Sequence, residues 1–222
     1  MQTFDTPVPV SVELDLPAGR LRLIAADRAD TTVEVLPADA GRSRDVKAAE
    51  RTAVEYADGV LRIRAAATAS RLLGPAGSVE VTVRLPAGSH VRATAAAADF
   101  RGVGRLGEVT LDGAQGAIKL DEAAAAHLTL LDGDITLGRL TGPAHITTDR
   151  GDLHITEAHR GPVTLRTHHG HITITAPRGT SATLDAGTTH GRIHNTLTHT
   201  ASPTDLTIHA TTTHGDITAR SV

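Results

Sequence analysis

Between residues 8 and 16 apolar and polar positions alternate one for one: Val8, Val10, Val12, Leu14 and Leu16 are separated by Pro9, Ser11, Glu13 and Asp15. A period of two puts one set of side chains on one face of an extended chain, which predicts a half-buried strand. Pro17-Ala18-Gly19 predicts a turn, and Leu21-Arg22-Leu23-Ile24, Thr32-Val33-Glu34-Val35 and Val79 to Leu85 resume the strand pattern. Thr52 to Tyr56 and Val60 to Arg64 flank Asp58-Gly59, a two-residue signal for a hairpin. Residues 37–50 read as a loop with one helical turn near Val46 to Arg51, and Ser70 to Gly77 as a second loop.

From about residue 96 the alternation acquires a longer period. Gly116, Gly133, Gly151, Gly170, Gly191 and Gly215 are each followed, two residues on, by Ile or Leu. A period near 20 made of short strands is the signature of a stacked β-coil. Each unit carries two aliphatic pairs at i, i+2. The first strands are Val109/Leu111, Leu128/Leu130, Ala144/Ile146, Val163/Leu165, Ala182/Leu184 and Leu206/Ile208. The second strands include Ile118/Leu120, Ile135/Leu137, Leu153/Ile155 and Ile172/Ile174, and the residue between the members of a pair is nearly always Thr or His. A lone unit buries too few side chains to offset the entropy of ordering its backbone, so the units must stack. The expected fold is all-β: a β-solenoid of parallel, helix- or roll-like coils over residues 96–222, with residues 1–95 as a capping set of strands, and one continuous core. The last unit, Gly215 to Arg220, is expected to be the open end of the column and a place for self-association through the C-terminal coil.

Composition narrows the partners. Only Phe4, Tyr56 and Phe100 are aromatic and no Trp occurs, so the core must be built from Val, Ile, Leu and Ala. The net charge of -3 and the missing aromatic platforms argue against nucleic acid. No cysteine is present, which excludes disulfides, zinc knuckles and thiol nucleophiles. No run of 18 apolar residues predicts a membrane span, and the first residues lack the pattern of a signal peptide, so a cytoplasmic location is expected.

The stretches Leu131-Asp132-Gly133-Asp134-Ile135, Thr148-Asp149-Arg150-Gly151-Asp152-Leu153, Thr167-His168-His169-Gly170-His171-Ile172 and Thr213-His214-Gly215-Asp216-Ile217 share a recurring form. Through them, over roughly residues 80–222, the chain resembles the bacterial "putative adhesin" family, a domain of unknown function with Ser/Thr-x-x-Gly-Asp-Ile/Val repeats. The resemblance implies a β-solenoid or roll and no established enzyme chemistry. The chain departs from the family pattern in placing His on either side of the glycine.

Two sets of residues are candidates for chemistry. Of thirteen histidines, twelve follow residue 126, and His169, His190 and His214 each precede a repeat glycine. Aligned on the glycines they fall in one slot, with His171 beside them. Imidazoles so placed are candidate metal ligands or a pH-responsive patch; as plain surface residues they would be interchangeable with Thr and Asp. Asp134, Asp152 and Asp216 share the slot after glycine. Paired acids on a β-helix can serve carbohydrate cleavage, while Gly-Asp is also a turn signal. No nucleophile elbow or phosphate loop occurs. The leading expectation is a non-enzymatic scaffold or protein-interaction module, homo-oligomeric and without cofactor. The alternatives are a carbohydrate-binding or carbohydrate-cleaving β-helix and a His-based metal or pH sensor.

Overall fold

The computed structural model describes residues 1–65, 77–199 and 204–222, so the expected loop at 70–77 lies outside the described residues except at its last position. The described residues form seventeen strands and one helix. The first are β1 (Gln2–Asp5), β2 (Ser11–Ala26), β3 (Asp30–Pro37), α1 (Ser43–Glu50), β4 (Ala53–Ala57), β5 (Val60–Arg64), β6 (Val79–Pro86), β7 (His90–Gln115) and β8 (Ile118–Asp132). They continue as β9 (Ile135–Leu140), β10 (Ala144–Arg150), β11 (Leu153–Ala158), β12 (Gly161–His169), β13 (Ile172–Ala176), β14 (Ala182–His190), β15 (Ile193–Thr196), β16 (Leu206–His214) and β17 (Ile217–Ser221).

The fold is all-β, and its strands stack in two ladders. One runs β4–β5–β2–β7–β8–β10–β12–β16–β14, the other β1–β3–β6–β2–β7–β8–β9–β11–β13–β17–β15. The long strands β2, β7 and β8 bend through a turn and take part in both. Pairing is parallel throughout except at β1–β3, β3–β6 and β4–β5. The hairpin expected at Asp58-Gly59 is present, with both residues at positive φ (51° and 76°). The helical turn expected near Val46 is a full helix, α1, whose buried Asp45 accepts a hydrogen bond from the Ser78 N–H.

Alternation fixes the core. The second-strand pairs Ile118/Leu120, Ile135/Leu137, Leu153/Ile155 and Ile172/Ile174 all point inward and are at most 2% exposed. One contiguous aliphatic cluster runs from Val10 to Ala219, with Phe100 as its sole buried aromatic ring. Parallel coil pairing reaches back into residues 11–26, 60–64 and 79–86, because β2 pairs with β5, β6 and β7.

Two expectations need correction. First, the last coil in sequence is not the last in space. β16 and β17 insert between β12/β13 and β14/β15, so the terminal coil is 182–196 and the C-terminal coil is covered on both sides. The inward residues explain the exchange: Ile208, Ala210, Ile217 and Ala219 are all apolar and 0% exposed, whereas 182–196 offers Asn195 and a half-exposed Ile193. The more apolar layer takes the interior place.

Second, three first strands are shifted by two residues from the expected alignment. Leu128 sits beside Leu111 and Ile146, and Ile208 beside Val163 and Leu184. The face each side chain occupies is unchanged, since a shift of two preserves the alternation. The outward column therefore reads Thr110, His127, His145, Thr164, His209, Asp185, with His127, His209 and Asp185 in the places expected for Thr129, Thr207 and Thr183.

Candidate functional site

The corner between the two strands of each coil is built from four chemical parts. Gly116, Gly133, Gly151, Gly170, Gly215 and Gly191 follow one another in a line, and a Cβ on any of the last five would overlap the carbonyl oxygen of a neighbouring glycine in that line. Five of the six have φ between 130° and 157°, a region that side chains disfavour. Three residues before the glycine, Thr167, Thr212 and Thr188 donate to the carbonyls of Gly151, Gly170 and Gly215 at 3.1, 3.1 and 3.0 Å. The bonding threonine of the C-terminal unit is thus Thr212, one position before the Thr213 singled out above.

The slot after glycine has a backbone task. Asp134 accepts from the Asp152 N–H (2.8 Å), Asp152 from the His171 N–H (2.7 Å) and Asp216 from the Arg192 N–H (2.8 Å). His171 does the same with its ring: Nδ1 accepts the Asp216 N–H at 3.0 Å. That bond places the ring proton of neutral His171 on Nε2. Each acceptor therefore supplies the N–H of the next coil with a partner it would otherwise lack.

His169, His190 and His214 occupy one column, as the glycine alignment predicts, but in the spatial order His169–His214–His190. The rings stack with centroids 4.7 and 4.8 Å apart and planes within 9° and 20°. Next in the column stands Arg150, paired with Asp132 at 3.0 Å, and beside it His168 lies 3.3 Å from Asp149. The groove here, lined by Leu131, Asp149, Arg150, His168, His169 and Thr213, encloses 540 Å³. Among the described residues no group of three or more His, Asp or Glu converges in a metal-holding arrangement.

A second imidazole stack was missed by the sequence reading. His127 and His145 lie 5.2 Å apart in the outward column, and two coils on His209 Nδ1 lies 3.2 Å from Asp185. Counting back six residues from each glycine would have found both, since Gly133, Gly151, Gly215 and Gly191 stand at that offset from His127, His145, His209 and Asp185.

The most exposed layer is the terminal coil. Leu184 and Ala186 are half-buried and Ile193 is 44% exposed, although their neighbours Ile208, Ala210 and Ile217 one layer below are 0% exposed. Among the described residues β14 pairs only with β16, and β15 only with β17.

A family model described as Toastrack DUF4097 matches residues 10–220. No curated protein matches the chain. Among solved structures, the chain is similar to a putative adhesin from Bacteroides fragilis NCTC 9343, at 14% identity, TM-score 0.56, and coverage of 100% of this chain and 96% of that one. A putative adhesin from Parabacteroides distasonis ATCC 8503 gives 12% identity and TM-score 0.44, covering 98% and 95%. A putative lipid binding protein from the same organism gives 11% and 0.42, covering 98% and 95%. At these identities the first supports the fold alone.

Proposed function

Taking as premise that this chain belongs to the Toastrack DUF4097 family, we propose that it is a non-enzymatic scaffold that binds protein partners or copies of itself. The observation that carries the reading is the contrast between the corner and the end. At the corner, the Asp and Thr side chains most suggestive of chemistry are spent on backbone groups of adjacent coils. At the end, β14 and β15 carry no further strand among the described residues, although the Ala182 N–H donates to the Thr198 carbonyl, and Leu184, Ala186 and Ile193 stay partly exposed. A scaffold needs rigid faces and an adhesive end, and a parallel stack supplies both. The association expected of the C-terminal coil belongs, on this topology, to coil 182–196.

Light scattering across a concentration series and incubation with a panel of polysaccharides test the reading together. The expected result is a mass above the monomer at high concentration and no release of reducing ends. Sugar cleavage abolished by Asp134→Asn and Asp152→Asn would overturn it.

A pH response is a second reading, supported by the imidazole column. Three stacked rings under 5 Å apart repel once protonated, while the neighbouring Arg150 is paired with Asp132. His190 belongs to the terminal coil, so acid should loosen that coil first. Faster amide exchange in β14 at pH 5.5 than at pH 7.5, corrected for intrinsic rates and abolished by His214→Gln, is the expected outcome; equal protection at both pH values would overturn it.

A further inference from the structure

Charges alternate in sign from rung to rung in several columns of this stack. Arg62, Glu13 and Arg92 alternate, as do Glu80, Arg20 and Asp99, and Arg105, Glu122, Arg139 and Glu157. Where carboxylates meet instead, donors are at hand: Arg28 binds Asp30 opposite Asp5, and Asp134 and Asp152 accept backbone N–H groups. One column has neither arrangement. Arg22, Arg101 and Lys119 stand opposite one another on three consecutive rungs of β2, β7 and β8, and like charges so placed destabilise a sheet. We infer that this column is a docking surface for an acidic, extended segment of a partner protein. The inference rests on the scaffold reading and adds the face used and the chemistry of the partner.

The three side chains point outward, between the buried Leu21, Leu23, Phe100, Ile118 and Leu120. Arg101 is countered by Asp121 at 2.6 Å. Among the described residues the side chains of Arg22 and Lys119 have no hydrogen-bond or ion-pair partner. The nearby acids are already engaged. Glu80 accepts from Arg20, Asp99 from the Ala117 N–H, and Asp121 from the Gly104 N–H as well as from Arg101. The next carboxylate along the column is Glu34, two rungs from Arg22 beyond Thr82.

The shape of the column selects its occupant. It is one residue wide, with Asp99 two residues before Arg101 and Asp121 two residues after Lys119. A flat anionic membrane would press on those carboxylates too, and on a chain of net charge -3. A single extended strand laid along the column avoids them. Two rung intervals of about 4.8 Å give the cations a span of about 10 Å. Carboxylates at alternate positions of an extended peptide lie about 6.6 Å apart, so two fall within that span. Beside Arg22 and Arg101, Ile24 and Val103 face each other on adjacent rungs, outward yet only half-buried. Alternate side chains of a strand point to opposite sides, so an acidic row can lie over the cations while an aliphatic row covers Ile24 and Val103. A sulfated glycan has no aliphatic row to place there.

The test is fluorescence anisotropy with the full chain and a labelled peptide carrying Glu-Val-Glu-Val-Glu. The peptide should bind in about 0.02 M salt and be released by about 0.5 M salt. Arg22→Gln and Lys119→Gln should each weaken binding by up to about fivefold, and the double variant by more. Arg160→Gln, an exposed cation away from the column, should bind as the parent does. Because they remove a repulsion, Arg22→Gln and Lys119→Gln should melt no lower than the parent. Equal binding by the parent and the double variant would overturn the inference, and so would a melting temperature lowered by several degrees in both single variants, which marks a structural column. Tighter binding to heparin or to phosphatidylglycerol vesicles than to the peptide, lost in the same variants, would assign the surface to another class of partner and overturn it as well. A parent that ignores the peptide yet self-associates would lose this surface and keep the scaffold; sugar cleavage that depends on Asp134 and Asp152 would remove the scaffold itself.

Discussion

The two ends of the stack solve the same problem differently. At the N-terminal end the outermost parallel layer, β5 and β6, is covered by strands running the other way: β4 lies on β5, and β3 with β1 beyond it lies on β6. Leu61, Ile63 and Val83 there are 0% exposed and Val81 is 1%. At the other end β14 and β15 have no such cover among the described residues, and Leu184, Ala186 and Ile193 remain partly wet. The inward residues are largely aliphatic in both places, with Asn195 the polar exception at the open end. A side chain in a stacked layer is buried by the layer above it as much as by its own strand. Reversed strands and charges are ways to stop further pairing at an edge, and the chain uses reversal at one end only.

Glycine substitutions should separate interior from end most sharply. Gly170→Ala places a methyl group on the Gly151 carbonyl at a φ of 157°. It should cost about 3 kcal/mol or more, from overpacking and a disfavoured backbone together. Gly187→Ala, on the terminal strand with nothing within 4 Å, should change stability by less than about 0.5 kcal/mol. Chemical denaturation of the two variants checks the pair, and equal losses would refute the layered account. A core truncation should give a smaller contrast in the same direction. Ile63→Ala should cost about 2–5 kcal/mol, whereas Ile193→Ala, already half wet, should cost about 1 kcal/mol or less. If Ile193→Ala proved as costly as Ile63→Ala, the end coil would be covered in solution.

The glycine line and the inward aliphatic pairs were legible in the sequence because both follow from local rules. Alternation decides the face, and a residue that must lie against a neighbouring backbone has to be glycine. What escaped was long-range order. The spacings Gly170 to Gly191 and Gly191 to Gly215, at 21 and 24 residues, exceed the 17 to 19 of earlier units. They read as insertions that blur the register. In the structure they accompany an exchange of layers: coil 182–196 lies beyond the C-terminal coil instead of before it. The imidazole column was foreseen from glycine alignment, and its order was not, because order depends on which layer is buried. The role of Asp134, Asp152 and Asp216 was half legible: a turn signal was evident, but the bond to the next coil's N–H exists only once the coils are stacked.

The smallest expected effect lies in acid, and it too distinguishes the ends. Asp30 opens β3, and its cross-strand neighbour on β1 is another carboxylate, Asp5. Arg28 grips Asp30 with two hydrogen bonds, Nε to Oδ1 at 2.9 Å and Nη2 to Oδ2 at 2.7 Å. The hydrogen bond from Arg28 holds the Asp30 carboxyl below the ordinary carboxylate range. A carboxyl whose pKa is lower folded than unfolded binds fewer protons in the native state. Its contribution is therefore complete above the unfolded value, about 4, and fades as pH falls through the folded one. Asp30→Asn should lower the melting temperature slightly at pH 7, by the same amount down to about pH 5, and the gap to the parent should close below about pH 4. Amide exchange should place the change in β1 and β3, with β14 and β15 unmoved by it. A gap that widened in acid would show that Asp5 and Asp30 repel more than Arg28 compensates, and the covered end would then be held by its apolar layer alone.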